Sequence, residues 1–465
     1  MFAKQYRYSM SPYVYAISPL GTYNIGMTED FLEKCKELKI KTEVDEKILK
    51  VIKPDMFIDK IVPVPNTTYK YRDYQEKLLR ALTLNGRGVI VSPTRSGKSL
   101  VLAGLCHNTF LNAEKNKIKS ILLVVPNVNL VMQMAADFEE YGIANLYNIQ
   151  KFTANELKKK TNNFHIEEKN NIFIANMQYL MKNGDQLGYI DMIIQDEVHV
   201  ISKGSELGKL VKGVDIPFKF GCTGTLPKSI ENKWQITGIF GPVLEEVKIK
   251  ELQEKNVLAD VKITPIEFMH SLRVNFNKQE EENESVFDIA SRAYRKESMY
   301  LGEYVPTNTK ILELAKRIIA THNDWNVLIL FDYISQGEQL YNLLDFEHKH
   351  YVDGSVDVNI RHEIIEEMNS PEGGHITIAN CKCFGTGLTI KRIQAIFLVQ
   401  NASSVTKIIQ SIGRGLQKNK ETLYLFDIIH NYKYSQKHFK ERVQLYKEFY
   451  NKELGKDYQI KTVIV

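Results

Sequence analysis

Short aliphatic, β-branched runs bounded by turn residues recur along this chain. Residues 89–91 and 121–125 are continuous apolar runs, the pattern of strands buried on both faces of a parallel sheet. Residues 189–195 predict another strand, as do 261–268 and 327–331. Helical stretches alternate with these runs. One starts at Lys98 and continues through Leu105, after a break at Ser92-Pro93-Thr94-Arg95-Ser96-Gly97, and another spans 311–320. Nearer the start, residues 13–17 alternate like a strand. Thr28 reads as the N-cap of a helix running to Leu38, and 41–44 and 48–52 read as further strands. This opening module ends at Pro63-Val64-Pro65-Asn66, a linker signal. The pattern is that of an α/β protein.

Composition adds bounds. A length of 465 residues gives a prior of roughly three domains. Hydrophobic residues make up 43% and aromatics 10%, ample for packed cores, so disorder is not expected. A net charge of +5 does not decide for or against nucleic acid, because phosphates can be held by backbone N–H and hydroxyl groups. Five cysteines (Cys35, Cys106, Cys222, Cys381, Cys383) are scattered. Cys381-x-Cys383 lacks zinc spacing and has no second pair, which predicts reduced core thiols. The sequence shows no signal pattern and no run of about eighteen apolar residues. It therefore predicts a soluble, intracellular chain with no membrane partner.

The chemistry is concentrated in two segments. Ser92-Pro93-Thr94-Arg95-Ser96-Gly97-Lys98-Ser99 lies between a strand and a helix, the context of a phosphate-binding loop. Loop N–H groups from Thr94 to Gly97, with Ser96 among them, would face a β-phosphate. Gly97 permits close backbone approach, Lys98 reaches the β- and γ-phosphates, and the Ser99 hydroxyl is a Mg²⁺ ligand. About a hundred residues later, an apolar strand ends in Asp196-Glu197-Val198-His199. Adjacent carboxylates at a strand end are costly without a cation. Asp196 is the candidate Mg²⁺ residue, and Glu197 the group that orients or deprotonates water. Together the segments predict an ATP hydrolase using ATP and Mg²⁺.

Asp-Glu-x-His after a P-loop resembles the superfamily 2 helicases and translocases, and further motifs of that family occur in order over residues 70–428. Arg72-Asp73-Tyr74-Gln75 stands where the family reads adenine, with Arg72 and Gln75 as nucleotide contacts. Pro126, Asn127 and Gln133, then Asn176 and Gln178, correspond to contacts with a nucleic-acid strand. Thr223-Gly224-Thr225 corresponds to the segment that, with His199, couples ATP state to strand movement. In the second half, Gly354 within Val352-Asp353-Gly354-Ser355 and Thr386 within Phe384-Gly385-Thr386-Gly387 resemble nucleic-acid contacts, and Gly387 a nucleotide contact. Gln410 and Arg414 of Gln410-Ser411-Ile412-Gly413-Arg414 resemble the element that faces ATP.

The run 384–388 and 410–416 is most similar to the phage UvsW type of branch-migration helicase, with RecG and XPB-like enzymes as wider relatives. The resemblance implies two tandem RecA-like parallel-sheet lobes, at 67–250 and 251–428. They follow a small N-terminal α/β module at 1–66 that engages duplex DNA and precede a basic, aromatic helical tail at 429–465. It implies an ATP-dependent DNA helicase that remodels branched or forked DNA, by Holliday-junction migration, fork regression or R-loop unwinding. Single-stranded-DNA-binding or recombination proteins would be partners, in the cytoplasm (the host's, for a phage protein). Three alternatives stay open: an RNA helicase, the motor subunit of a restriction system, and an ATPase-inactive DNA-binding scaffold.

Three positions depart from the family pattern. Ser92 replaces the first P-loop glycine, Thr389 stands where relatives carry an acid near the ribose, and Gln417 replaces a final arginine. The second arginine of Gln-x-x-Gly-Arg-x-x-Arg commonly acts on the γ-phosphate, and glutamine cannot supply that charge. That leaves Arg414, with Lys418 nearby. Elsewhere, Lys4, Tyr6, Arg7, Tyr8, Tyr13, Tyr15 and Tyr23 fit either DNA stacking or a half-buried strand face. Lys158-Lys159-Lys160 reads as a solvated face, and 271–308 as either an amphipathic surface helix or a family-specific insertion near the DNA path. In the tail, an aromatic stripe packs on the second lobe opposite Lys433, Lys437, Lys440, Arg442, Lys447 and Lys452.

Overall fold

The computed structural model describes residues 16–18, 21–56, 58, 60–153, 163–202, 204–271, 274–276, 286–370, 372–381, 392–399 and 422–465. Lys4, Tyr6, Arg7, Tyr8, Tyr13, Tyr15, Lys158–160, Cys383, Thr386, Gly387, Thr389, Gln410, Arg414, Gln417 and Lys418 lie outside the described residues. The chain divides into two compact units: Met1–Ser92 with Gly97–Glu246, and Val247–Val465 with Pro93–Ser96.

The first unit holds strands β1 (Arg87–Val91), β2 (Ser120–Val125), β3 (Asn148–Phe152), β4 (Asn171–Asn176), β5 (Met192–Gln195), β6 (Phe218–Thr223) and β7 (Val243–Glu246). They form one sheet in the order β3-β4-β2-β5-β6-β1-β7, and every pairing is parallel. The five inner strands β1, β2, β4, β5 and β6 are buried throughout, as the apolar centres of β1, β2 and β5 lead one to expect, and polar residues such as Arg87 and Lys219 are buried with them. One core layer brings Val89, Leu122, Phe173, Ile193 and Phe240 together.

The second unit repeats the plan with β8 (Val261–Met269), β9 (Val327–Phe331), β10 (Lys349–Val352), β11 (Ile376–Asn380), β12 (Ala395–Leu398), β13 (Leu423–His430) and β14 (Lys461–Ile464). Their order is β10-β11-β9-β12-β13-β8-β14, again with every pairing parallel. Phe268, Ile311, Ile329, Ile378 and Phe397 lie in its core. The two sheets bear out the expected α/β class of RecA-like lobes.

Several local expectations are corrected. Residues 41–44 form no strand, and the predicted strand 48–52 lies inside a helix, Glu46–Ile52. Asp45 caps it by accepting from Lys47 N at 2.7 Å. A short apolar run cannot choose its own period, and here only Ile52 of the helix is buried. Thr28 is the first residue of the helix Thr28–Glu37 rather than its cap, and its hydroxyl donates to Ile25 O. Residues 16 and 17 form a bend, and residue 189 lies in a 3₁₀ turn, Gly184–Tyr189, ahead of β5.

The segment ahead of the first sheet is tied to it. Asn108 clasps Val62 in both directions, accepting from its N–H at 2.7 Å and donating to its carbonyl at 2.9 Å. Arg87 donates to Val51 O and Ile239 O.

The helix Val286–Glu303 in the 271–308 stretch is not a plain surface helix. It buries Ala293, Leu301 and the carboxylate of Glu297. Glu297 Oε1 accepts from Tyr434 N and Ser435 N, 2.9 Å each, at the start of the tail helix Lys433–Tyr450. An anion there meets the orphan N–H groups and the positive end of the helix dipole. The tail aromatics Tyr434, Phe439, Tyr446 and Tyr450 are buried as expected. Arg442 is not on the basic face: it is 1% exposed, and its Nη2 lies 2.8 Å from Asp427 Oδ1 on β13. Tyr446 donates to Asp427 Oδ2 at 2.8 Å. The tail then returns as β14, which its sequence did not announce. Cys35, Cys106, Cys222 and Cys381 are buried free thiols.

Candidate nucleotide site and nucleic-acid contacts

β1 ends at Val91, and Ser92 N donates to Thr223 O at 2.9 Å, which ties the phosphate-binding segment to the end of β6. Ser96 N closes a turn onto Pro93 O, with Thr94 inside it. Gly97 then adopts φ 79°, ψ 41° and caps the helix Lys98–Leu111. This left-handed position favours glycine. A Cβ there would also lie 2.4 Å from Gln75 Nε2. Gln75 is thus held against the loop, where it donates to Gly97 O at 3.4 Å while its Oε1 accepts from Arg72 N at 3.0 Å. Arg72 in turn donates to Tyr74 OH. The two family positions Arg72 and Gln75 therefore stand beside the loop.

Lys98 Nζ lies 3.3 Å from Ser92 O and 3.7 Å from Glu197 Oε1. Burial alone would lower its pKa, but the charges of Glu197 and Asp196 outweigh burial and hold it above its ordinary value. At position 92 the carbonyl does the work, so a serine in place of glycine leaves this bond intact.

Asp196 and Glu197 follow directly on β5. Glu197 sits at φ 51°, ψ 49°, a strained conformation for a non-glycine residue and one that tends to mark functional sites. Its N–H donates to Asp196 Oδ1 at 2.9 Å. Burial and the Glu197 charge raise the Asp196 pKa. Burial would raise Glu197 as well, but Lys98 and His199 overcome it and hold Glu197 below the usual carboxylate range. Glu197 is therefore the carboxylate of the pair that is held in its charged form.

His199 Nδ1 lies 3.1 Å from Glu197 Oε2 and 2.9 Å from Thr223 Oγ1. Thr223 Oγ1 donates to Thr225 O at 2.9 Å. The hydroxyl has one proton, so towards His199 it accepts, and His199 carries its proton on Nδ1. His199, Thr223 and Thr225 are thus hydrogen-bonded together, and the same His199 edge stands against Glu197.

The donor set fits a magnesium nucleotide. Ser99 and Asp196 offer the hard oxygens that Mg²⁺ prefers. The buried Asp196 and the half-buried Glu197 face one lysine, an imbalance that a cation would relieve. Two residues that sequence reasoning missed hold Ser99. Tyr141 OH lies 3.0 Å from Ser99 Oγ, and burial pushes that phenol up to about 12, so it stays neutral. Asp137, raised first by burial, also bonds Ser99. Both lie on or just after the helix Val128–Glu140, and nothing in their local sequence distinguishes them from surface polar residues.

The nucleic-acid candidates are placed unevenly. Asn127 caps the helix Val128–Glu140 through Leu130 N at 3.1 Å, with Pro126 before it and Gln133 one turn on, all half-buried. Asn176 is buried at the end of β4 and donates to the exposed Gln178, so it positions that side chain. Gly354 is exposed on a turn shaped by Asp353, which accepts from Ser355 N at 2.8 Å and Ser355 Oγ at 2.6 Å. Thr386, Gly387, Gln410 and Arg414 lie outside the described residues.

Residues 68–228 match the family model described as type III restriction enzyme, res subunit. Residues 309–419 match the helicase conserved C-terminal domain. The ATP-dependent DNA helicase uvsW of Enterobacteria phage T4 is 26% identical over 364 residues, 77% of this chain and 68% of that one. The XPB/SSL2 helicase/translocase subunit of general transcription and DNA repair factor IIH from Saccharomyces cerevisiae is 27% identical over 227 residues, 46% of this chain and 25% of its own length. Among solved structures, the DNA-bound type ISP restriction-modification enzyme LlaBIII has a TM-score of 0.60 at 13% identity, covering 85% of this chain and 31% of that one, a likeness of fold. Among the described residues, no helix is long and apolar enough to cross a membrane.

Proposed function

The chain belongs to the superfamily 2 helicases, enzymes that spend ATP to move on nucleic acid, and from that premise we propose that it is a DNA translocase that remodels branched DNA. Its tasks would be migrating four-way junctions, regressing forks and unwinding R-loops, in the cytoplasm and beside single-stranded-DNA-binding or recombination proteins. The observation that carries the enzymatic part is the close grouping of Lys98, Glu197, His199 and Thr223, with Glu197 between the lysine and the imidazole and His199 bonded to Thr223. The similarity to the phage ATP-dependent DNA helicase supports the choice of DNA, and the resemblance of 384–388 and 410–416 to the branch-migration type supports branched substrates.

The residues divide the work. Gln75 and Arg72 present the polar edge that reads the base. The loop from Thr94 to Gly97 offers N–H groups to phosphate, and Lys98 adds a mobile positive charge. Ser99 and Asp196 would hold Mg²⁺, which when bound neutralises charge on the phosphates. Glu197 orients a water and accepts its proton, and His199 keeps Glu197 ionised and aimed. Arg414 is the proposed source of positive charge for the transition state, with Gln410 beside it in sequence. Pro126, Asn127, Gln133, Gln178, Gly354 and Thr386 would meet the DNA backbone.

The test is ATP turnover measured with single-stranded, duplex, forked and four-way DNA and with structured RNA. Stimulation by DNA, greatest for branched forms, with ATP-dependent conversion of a synthetic four-way junction, is expected. Stimulation by RNA alone would make it an RNA helicase. DNA-stimulated turnover without junction movement would sink the branched-DNA task.

A further inference from the structure

The second unit carries a cluster of metal-binding side chains that the motor chemistry does not use. His350 is the second residue of β10, and His375 immediately precedes the neighbouring strand β11. His350 Nε2 and His375 Nδ1 face each other at 2.9 Å. Glu367, near the end of the helix Val358–Asn369, brings Oε2 to 3.4 Å from the same His350 nitrogen. One donor atom from each of the three lies within 4.8 Å of the others.

We propose that His350, His375 and Glu367 form a site for a borderline divalent transition metal, Zn²⁺ foremost, that clamps this helix to the edge of the second sheet.

Two imidazoles and a carboxylate form a ligand set that suits Zn²⁺ and disfavours Mg²⁺ and Ca²⁺, which take oxygen. With Zn–N bonds of about 2.0–2.1 Å, tetrahedral ligands sit roughly 3.3 Å apart. The Glu367 to His350 separation already has that value, and the two nitrogens need only a small opening. Glu367 is exposed, so the remaining coordination position opens to solvent. His348 stands beside it, its ring centroid 5.4 Å from that of His375. The three ligands come from two strand starts and a helix end, elements that a single ion would lock together. The same helix begins just after the Gly354 turn, so the ion would brace the scaffold of that turn from its far end.

The test uses the full chain in excess Mg²⁺, titrated with Zn²⁺ by calorimetry and with Co²⁺ by visible absorption. One Zn²⁺ per chain, a rise in Tm and a tetrahedral Co²⁺ spectrum are expected. Glu367→Gln removes a direct anionic ligand and should weaken binding by at least the roughly 10-fold that losing a supporting outer partner costs. His350→Asn should abolish the Co²⁺ spectrum. Circular dichroism of both variants checks that they fold. Absence of stoichiometric binding, or binding unchanged in a folded Glu367→Gln and His350→Asn, would overturn the proposal. ATP turnover is not the readout, so the result stands apart from the proposed function.

Discussion

His199 Nδ1 lies 2.9 Å from Thr223 Oγ1 and 3.1 Å from Glu197 Oε2, so one edge of one imidazole joins the acidic motif to the Thr-Gly-Thr segment. On the proposed function, a change at Glu197 is expected to reach Thr223 through that single side chain. Thr223→Val keeps the shape and removes the hydroxyl. It should leave basal ATP turnover within a few-fold of normal while lowering the base pairs moved per ATP. Parallel phosphate-release and junction-migration assays check this, and unchanged coupling would exclude the link.

Lys98 and Glu197 should fail in different ways. Glu197→Gln removes the proposed proton acceptor and should cut turnover by about 10²–10⁴-fold while nucleotide still binds. It also removes a charge beside Asp196, so stability should hold or rise. Lys98→Ala leaves Asp196 and Glu197 without their cation and should lower both turnover and Tm at pH 7. Fluorescent-nucleotide binding and thermal melts separate the two cases.

Arg442 is a structural residue in a tail that otherwise reads as basic surface. Arg442→Met strands Asp427, which is 0% exposed, and should cost about 3–5 kcal/mol in urea unfolding. Pairing it with Asp427→Leu should recover much of the loss, because no charge is then left buried. Lys440→Met, at an exposed position, should change stability little.

His430 gives the pH prediction. Burial first, then the charges of His270 and Arg442, push its pKa down to about 3. The unfolded chain, at about 6.5, binds more protons in the window between these values, so stability rises with pH there. The contribution is complete above pH 6.5 and is lost as pH falls, by up to about 2 kcal/mol at pH 5. His430→Gln should flatten the slope of unfolding free energy between pH 7 and 5. An unaltered slope would place the titrating group elsewhere.

The sequence by itself marked some of the inner strands, 121–125 and 327–331 among them, because a strand buried on both faces reads as an apolar run bounded by turn residues. It also determined the phosphate-binding loop and its acidic partner, because their chemistry is carried by adjacent residues at fixed spacing. Contacts between segments far apart in the chain were decided only by tertiary structure. Tyr141 and Asp137 reach Ser99 across about forty residues, and Glu297 caps a helix 136 residues away. No local pattern marks such partners, since a polar side chain looks the same in sequence whether it meets water or a buried donor. Arg442 was misread for that reason, and Ile48–Ile52 because a short apolar run fits either period until packing chooses one.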